Sequence, residues 1–90
     1  MWEKTLSPKT WVEIDASALR HNLSVFQKLV GPQTAVMAVV KANAYGHGLP
    51  EVIKILATRY TLRATKLWFG VDSVDEALLI RDLNVKNKIL

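Results

Sequence analysis

Cysteine is absent from the 90-residue chain, which excludes disulfide staples, thiolate metal sites and cysteine nucleophiles, and fits a reducing compartment. No stretch approaches the ~20 consecutive apolar residues that span a bilayer. The opening residues Met1 to Lys9 lack the apolar run and small-residue cleavage site of a signal peptide. A soluble, unexported, cytoplasmic protein with no membrane partner is expected. Histidine is scarce too: His21 and His47 are the only two, with no carboxylate at ligand spacing, so no metal site is expected. Clustered basic charge is also missing. The net charge is +4, but the twelve Lys and Arg residues are scattered from Lys4 to Lys88 among eight acids, so no nucleic-acid partner is expected. The densest group, Arg59, Arg63 and Lys66, reads as a solvated connection.

Half of the residues are hydrophobic, enough for a globular core and one domain at most. Thr10 to Asp15 alternates, with Val12 and Ile14 on one side and Glu13 and Asp15 on the other, predicting a short half-buried strand. Asp15 or Ser17 can then cap a helix running to about Val30, with Leu19, Leu23, Phe26 and Val30 as its apolar stripe and Gly31-Pro32 as its stop. Ala35 to Val40 contains no polar residue, which predicts a strand buried on both faces. After the polar, glycine-rich stretch Asn43 to Gly48, Pro50 suits a first helical turn, and Val52, Ile53 and Leu56 supply the next apolar face.

Leu67 to Val71 repeats the pattern of a short buried strand. Ser73 to Glu76 reads as a capping box, in which Ser73 and Glu76 satisfy each other's backbone N–H groups, at the head of a helix to about Asp82. Lys88-Ile89-Leu90 reads as the start of a further strand. Strands alternating with helices imply right-handed βαβ units and a parallel sheet, either doubly wound or closed into a barrel. Periodicity does not choose between the two, and no internal repeat is evident.

Chemistry in parallel α/β folds gathers at the carboxyl ends of strands, and Lys41 stands at the end of the most apolar strand in the chain. A lysine leaving such a strand is expected to be partly desolvated, which favours the neutral amine that condenses with aldehydes. On position alone, a structural lysine whose charge escapes to water is the commoner case, because strand ends often carry such a charge. His47 is read as a structural hydrogen-bonding residue of its loop, and Trp11, Trp68 and Phe69 as core aromatics.

The ten residues Val39-Val40-Lys41-Ala42-Asn43-Ala44-Tyr45-Gly46-His47-Gly48 resemble the signature of the alanine racemase family. Thr10 to Asp15 with Leu19 to Leu23, and Phe69 to Val71 with Asp75 to Leu78 and Arg81, look like that family's flanking strands and helices. Two departures are the long, basic connection Ala57 to Lys66, and Asp72, where a small residue is common in the family.

The resemblance implies an α/β fold: the opening units of a (β/α)8 TIM-type barrel over residues 10–90, preceded by a tail at 1–9. It implies pyridoxal 5'-phosphate (PLP) as cofactor, Lys41 as the lysine that binds it and takes the α-hydrogen of the D-enantiomer, and Tyr45 as a ligand of its phosphate. The implied reaction is interconversion of L- and D-alanine for peptidoglycan precursors, in a full-length homodimer. A broader-specificity racemase and a non-catalytic PLP-binding protein on the same barrel are the alternatives. The second acid–base has no counterpart here, and because a full barrel needs about 250 residues, the 90-residue chain alone is expected to be inactive.

Overall fold

The computed structural model describes residues 12–58 and 61–90. Helix α1 spans Ala16–Val30, strand β1 Val36–Val39, helix α2 Leu49–Leu56, strand β2 Leu67–Gly70 and helix α3 Val74–Asp82. A short 3₁₀ turn, Ala64–Lys66, leads into β2. The two strands pair in parallel, with Val36 opposite Leu67 and Val39 opposite Gly70. A parallel bridge joins Phe69 to Ile89 on the far side of β2, so the strand start expected at Lys88 to Leu90 lies where the alternation placed it. The architecture is α/β with parallel strands.

Local signals account for the helix boundaries. Asp15 caps α1, its Oδ1 accepting from Ala18 N at 3.0 Å, which satisfies one of the amides a helix leaves free in its first turn. Gly31 ends α1 at φ +84°, in the left-handed region that only glycine enters without strain. Pro50 lies in the first turn of α2, where its missing N–H costs nothing. Arg81 Nη1 donates to the carbonyls of Val85 and Asn87 at 2.9 and 2.8 Å. Asn87 Nδ2 donates to Ala64 O and Leu67 O, tying the last segment to the base of β2.

The core lies between the strands and the helices, where Phe69, Ile53, Leu67 and Ile80 are fully enclosed with Leu23, Val40, Leu49 and Leu56 around them. Each such side chain contributes roughly 1.5–3 kcal/mol of burial.

Several expectations are corrected. Residues 12–15 form no strand; Thr10 and Trp11 lie outside the described residues. The alternation there has a different use: Ile14 packs on the core, Val12 is exposed, and Asp15 turns the chain into its helix. Strand β1 is buried on one face only, for Met37 and Val39 are exposed while Val36 and Ala38 face the core. Its apolar run reads as two-sided because composition registers both faces, whereas the described residues cover only the helix side. On α1 the inward line is Leu19, Leu23 and Gln27, spaced by four; Phe26 and Val30 are exposed. The Gln27 side chain is buried, and neither its Oε1 nor its Nε2 has a hydrogen-bond partner. The basic connection is not simply solvated: half-buried Arg63 donates through Nη1 to Gln27 O at 2.6 Å, binding the segment after α2 to α1. Arg59 lies outside the described residues.

Candidate functional site

Strand β1 delivers the chain to the site. Beyond Val39 the sheet continues for one more bond, Val40 N donating to Gly70 O at 2.8 Å, and Val40 turns its side chain into the core at 2 % exposure. Val40, at φ −122° and ψ 18°, leaves the extended conformation, and Lys41, the next residue, is exposed. The enclosure expected of it at the end of an apolar strand is therefore absent among the described residues. Its ammonium group has no hydrogen bond or ion pair among the described residues, and its exposure leaves it sterically accessible.

After Lys41 the backbone does something the sequence does not announce. Ala42, Asn43, Ala44 and Tyr45 all take φ between +54° and +56°, forming a turn of left-handed helix from residues that carry a Cβ. Such a conformation costs roughly 1–2 kcal/mol per residue for ordinary L-residues and less for asparagine, and it persists only where the surroundings over-determine it.

The surroundings are visible. Ala44 N donates to Val40 O at 2.8 Å, Gly46 N to Ala42 O and Asn43 O, and Gly48 N to Asn43 O at 3.0 Å. Ala44 is buried, anchoring the turn in the core. Gly46 at φ +88° and Gly48 at φ +96° complete the reversal into α2. His47 donates from ring Nδ1 to Ala44 O at 2.9 Å, since a carbonyl can only accept. Histidine here holds the loop, as its solitary place in the sequence suggested.

Asn43 is the hub, and sequence reasoning passed over it. Its Oδ1 accepts from Leu49 N at 2.8 Å, capping α2 from six residues away. Its backbone N–H is bound from outside the turn by Glu76 Oε2 on α3, at 3.1 Å. The expected capping box is therefore only half formed: Ser73 Oγ accepts from Glu76 N at 3.2 Å, while the Glu76 carboxylate reaches across to Asn43. That contact, followed by polar groups of Asp72 and Ser73, holds the Glu76 carboxyl below its ordinary range, against the opposing effect of partial burial. The signal available in the sequence was an acidic residue in the first turn of the helix after the neighbouring strand; the partner it would choose was not.

Tyr45, the last left-handed residue, is 58 % exposed, and its phenol stands at the same carboxyl end of β1 as Lys41. Trp68, opposite Met37 across the sheet, is half-buried and carries Lys88 Nζ 5.0 Å from its ring centroid, whereas Phe69 is wholly in the core. Trp11 lies outside the described residues.

The described residues form a parallel α/β unit with an accessible lysine and a constrained turn at a strand's carboxyl end, where α/β proteins gather their chemistry. The family model for the N-terminal domain of alanine racemase matches residues 14–90, and the chain belongs to that family. It is similar to the alanine racemase of Synechocystis sp., 40 % identical over 82 residues. It is also similar to alanine racemase 1 of Bacillus subtilis, 43 % identical over 81 residues, and to the alanine racemase of Methanococcus maripaludis, 41 % identical over 85. These alignments take in 91 %, 90 % and 94 % of this chain but only 21 %, 20 % and 21 % of the relatives, so the chain spans about a fifth of their length.

Proposed function

We propose that this chain is the cofactor-lysine segment of a PLP-dependent alanine racemase, and that residues 10–90 are the opening units of its (β/α)8 barrel. The observation that carries the reading is Lys41, exposed and without a partner among the described residues, set between an apolar parallel strand and a left-handed turn inside the ten-residue signature. The parallel pairing of β1 with β2 and of Phe69 with Ile89 supports a barrel opening. The uncovered face carrying Met37 and Val39, with Lys41 just beyond its end, would then look toward the barrel interior.

The residues present suit the cofactor. A primary amine is the group an aldehyde condenses with, and a phenol on the same loop is a donor for a phosphate oxygen. When bound, PLP supplies an electron sink for the negative charge left by removal of the substrate α-proton. Lys41 Nζ holds the cofactor at rest and, once freed by substrate, accepts the α-proton of D-alanine and returns it in the reverse direction. Tyr45 Oη donates a hydrogen bond to the phosphate and so fixes one end of the ring. The turn between them restrains the backbone of both, limiting the arc through which Nζ swings. The second acid–base, the other phosphate ligands and homodimer contacts belong to sequence outside these 90 residues, and the setting is cytoplasmic.

The decisive experiment is borohydride reduction of the PLP-loaded parent protein followed by peptide mapping. A pyridoxyl adduct on Lys41 is expected, and one on any other lysine would refute the assignment. Lys41→Ala should abolish the absorbance of the lysine-bound cofactor without unfolding the protein, because an exposed strand-end side chain adds little to core packing. The isolated 90-residue chain is expected to show no alanine racemisation in a coupled assay of D-alanine formation, and measurable turnover would contradict that.

A further inference from the structure

We infer that Glu76 is a positioning residue for the Lys41 site, its carboxylate locking the left-handed turn from which Lys41 and Tyr45 project. This rests on the proposed role of Lys41. The turn is costly and must be held from outside itself. Its internal hydrogen bonds engage the amides of Ala44, Gly46, His47 and Gly48, but the amide of Asn43, inside the left-handed run, finds its acceptor on α3.

The topology makes the contact possible. Val39 lies opposite Gly70 in a parallel register, so the two strands finish level and the loops that follow them meet at one edge. Glu76 stands in the first turn of α3, immediately after the second of those loops, fixed there by Ser73 Oγ. A charged acceptor on a backbone N–H makes a bond roughly twice as strong as a neutral one. Bound by Glu76 at N–H, by Gly46 and Gly48 at its carbonyl, and by Leu49 at Oδ1, the Asn43 peptide has no freedom to flip. A flip there would reorient the turn that carries Lys41 and Tyr45, each two residues away.

A plain helix-capping role predicts something different. A residue that serves only α3 could be lost at the expense of stability alone, without touching chemistry on the neighbouring βα loop. Asp75, its exposed neighbour in the same first turn, is the internal control.

The test compares Glu76→Ala, Glu76→Gln and Asp75→Asn in the full parent protein. With selective ¹⁵N-asparagine labelling and no cofactor, the Asn43 amide proton should resonate downfield, move upfield as acid protonates the carboxylate, and lose both properties in Glu76→Ala. This readout does not depend on what Lys41 does. In the PLP-loaded protein, Glu76→Ala should shift the midpoint of the pH titration of the lysine-bound cofactor's absorbance. It should also lower kcat roughly 10- to 100-fold, the scale of a displacement of about 1 Å in a reacting group, with KM for alanine changed less than about threefold.

Glu76→Gln, which keeps an acceptor, should recover most of that loss, and Asp75→Asn should match wild type. An unchanged kcat and titration midpoint in Glu76→Ala, with the pyridoxyl adduct on Lys41, would overturn this inference alone. An adduct elsewhere, with the Asn43 signature intact, would overturn the role of Lys41 and this inference with it. Should Glu76→Ala fail to fold, Glu76→Gln is expected to keep the titration midpoint of wild type with a reduced Asn43 downfield shift, and a shift lost altogether without any change in kcat would count against the proposal.

Discussion

The sulfur of Met37 lies across Gly70 on the neighbouring strand: a Cβ added to Gly70 would stand 3.1 Å from Met37 Sδ and 3.4 Å from Met37 Cε and Cγ. The glycine thus makes room for a larger partner on the uncovered side of the sheet. Its φ is unremarkable, so only the contact is at stake. Met37 is 42 % exposed and flexible, and glycine within a strand costs roughly 0.5–1 kcal/mol in chain entropy. Gly70→Ala should therefore change stability by less than about 1 kcal/mol in denaturant unfolding, whereas the branched side chain of Gly70→Val should be clearly destabilising by roughly 1–3 kcal/mol.

Asn43→Ala removes the oxygen that caps α2 at Leu49 N and places an alanine where asparagine is the residue best able to tolerate φ +56°. A lost cap costs about 1 kcal/mol, and the less tolerant backbone adds to it, so a loss of roughly 1–2 kcal/mol is expected from the denaturant midpoint. Asn43→Asp keeps the acceptor and should retain most of the cap, although a second carboxylate near Glu76 works against it. Equal stability for wild type and Asn43→Ala would mean that the Oδ1 contact contributes nothing.

Gln27→Leu is expected to stabilise. Both polar atoms of the buried amide lack partners, and a buried unsatisfied group carries a desolvation cost of about 1–3 kcal/mol. Leucine continues the line of Leu19 and Leu23 without that cost. The outcome should be a rise in Tm and a higher denaturant midpoint; a fall of similar size would show that the amide is satisfied in solution.

Acid should weaken the contact between α3 and the Lys41 turn. The Glu76 carboxyl is held below its ordinary range in the folded state and returns to about 4.3 when unfolded. A group lowered on folding contributes stability that is complete well above the unfolded value and disappears as pH falls through the folded one. The denaturant midpoint of wild type should accordingly exceed that of Glu76→Ala near neutrality, with the gap narrowing once pH falls below about 4.3 and closing only beneath the lowered folded value. A gap that stays constant down to pH ~3 would place the effect elsewhere than on the carboxylate charge.

Caps, breaks and apolar spacing located α1, α2 and α3 and both strands in the sequence, because each depends on residues within one or two turns of one another: Asp15 with Ala18, Pro50 in its first turn, Ser73 with Glu76. The ten residues from Val39 to Gly48 named the family as well, since a signature needs only order along the chain. Which apolar residues lie inside was less legible. Phe26 and Gln27 are neighbours on α1, and the apolar one faces outward while the amide is buried, a choice made by the packing of α1 against α2 and the Arg63 segment.

Lys41 was legible as a strand-end amine and, through its ten-residue context, as the family's cofactor lysine. Tertiary structure decided the conformation that follows it. Four residues with side chains enter the left-handed region not because alanine, asparagine or tyrosine prefers it but because Val40 and Ala44 are held in the core and Glu76, 33 residues away, binds the Asn43 amide. No local preference encodes that turn. Its strain is offset by contacts that exist only once β1 and β2 lie side by side.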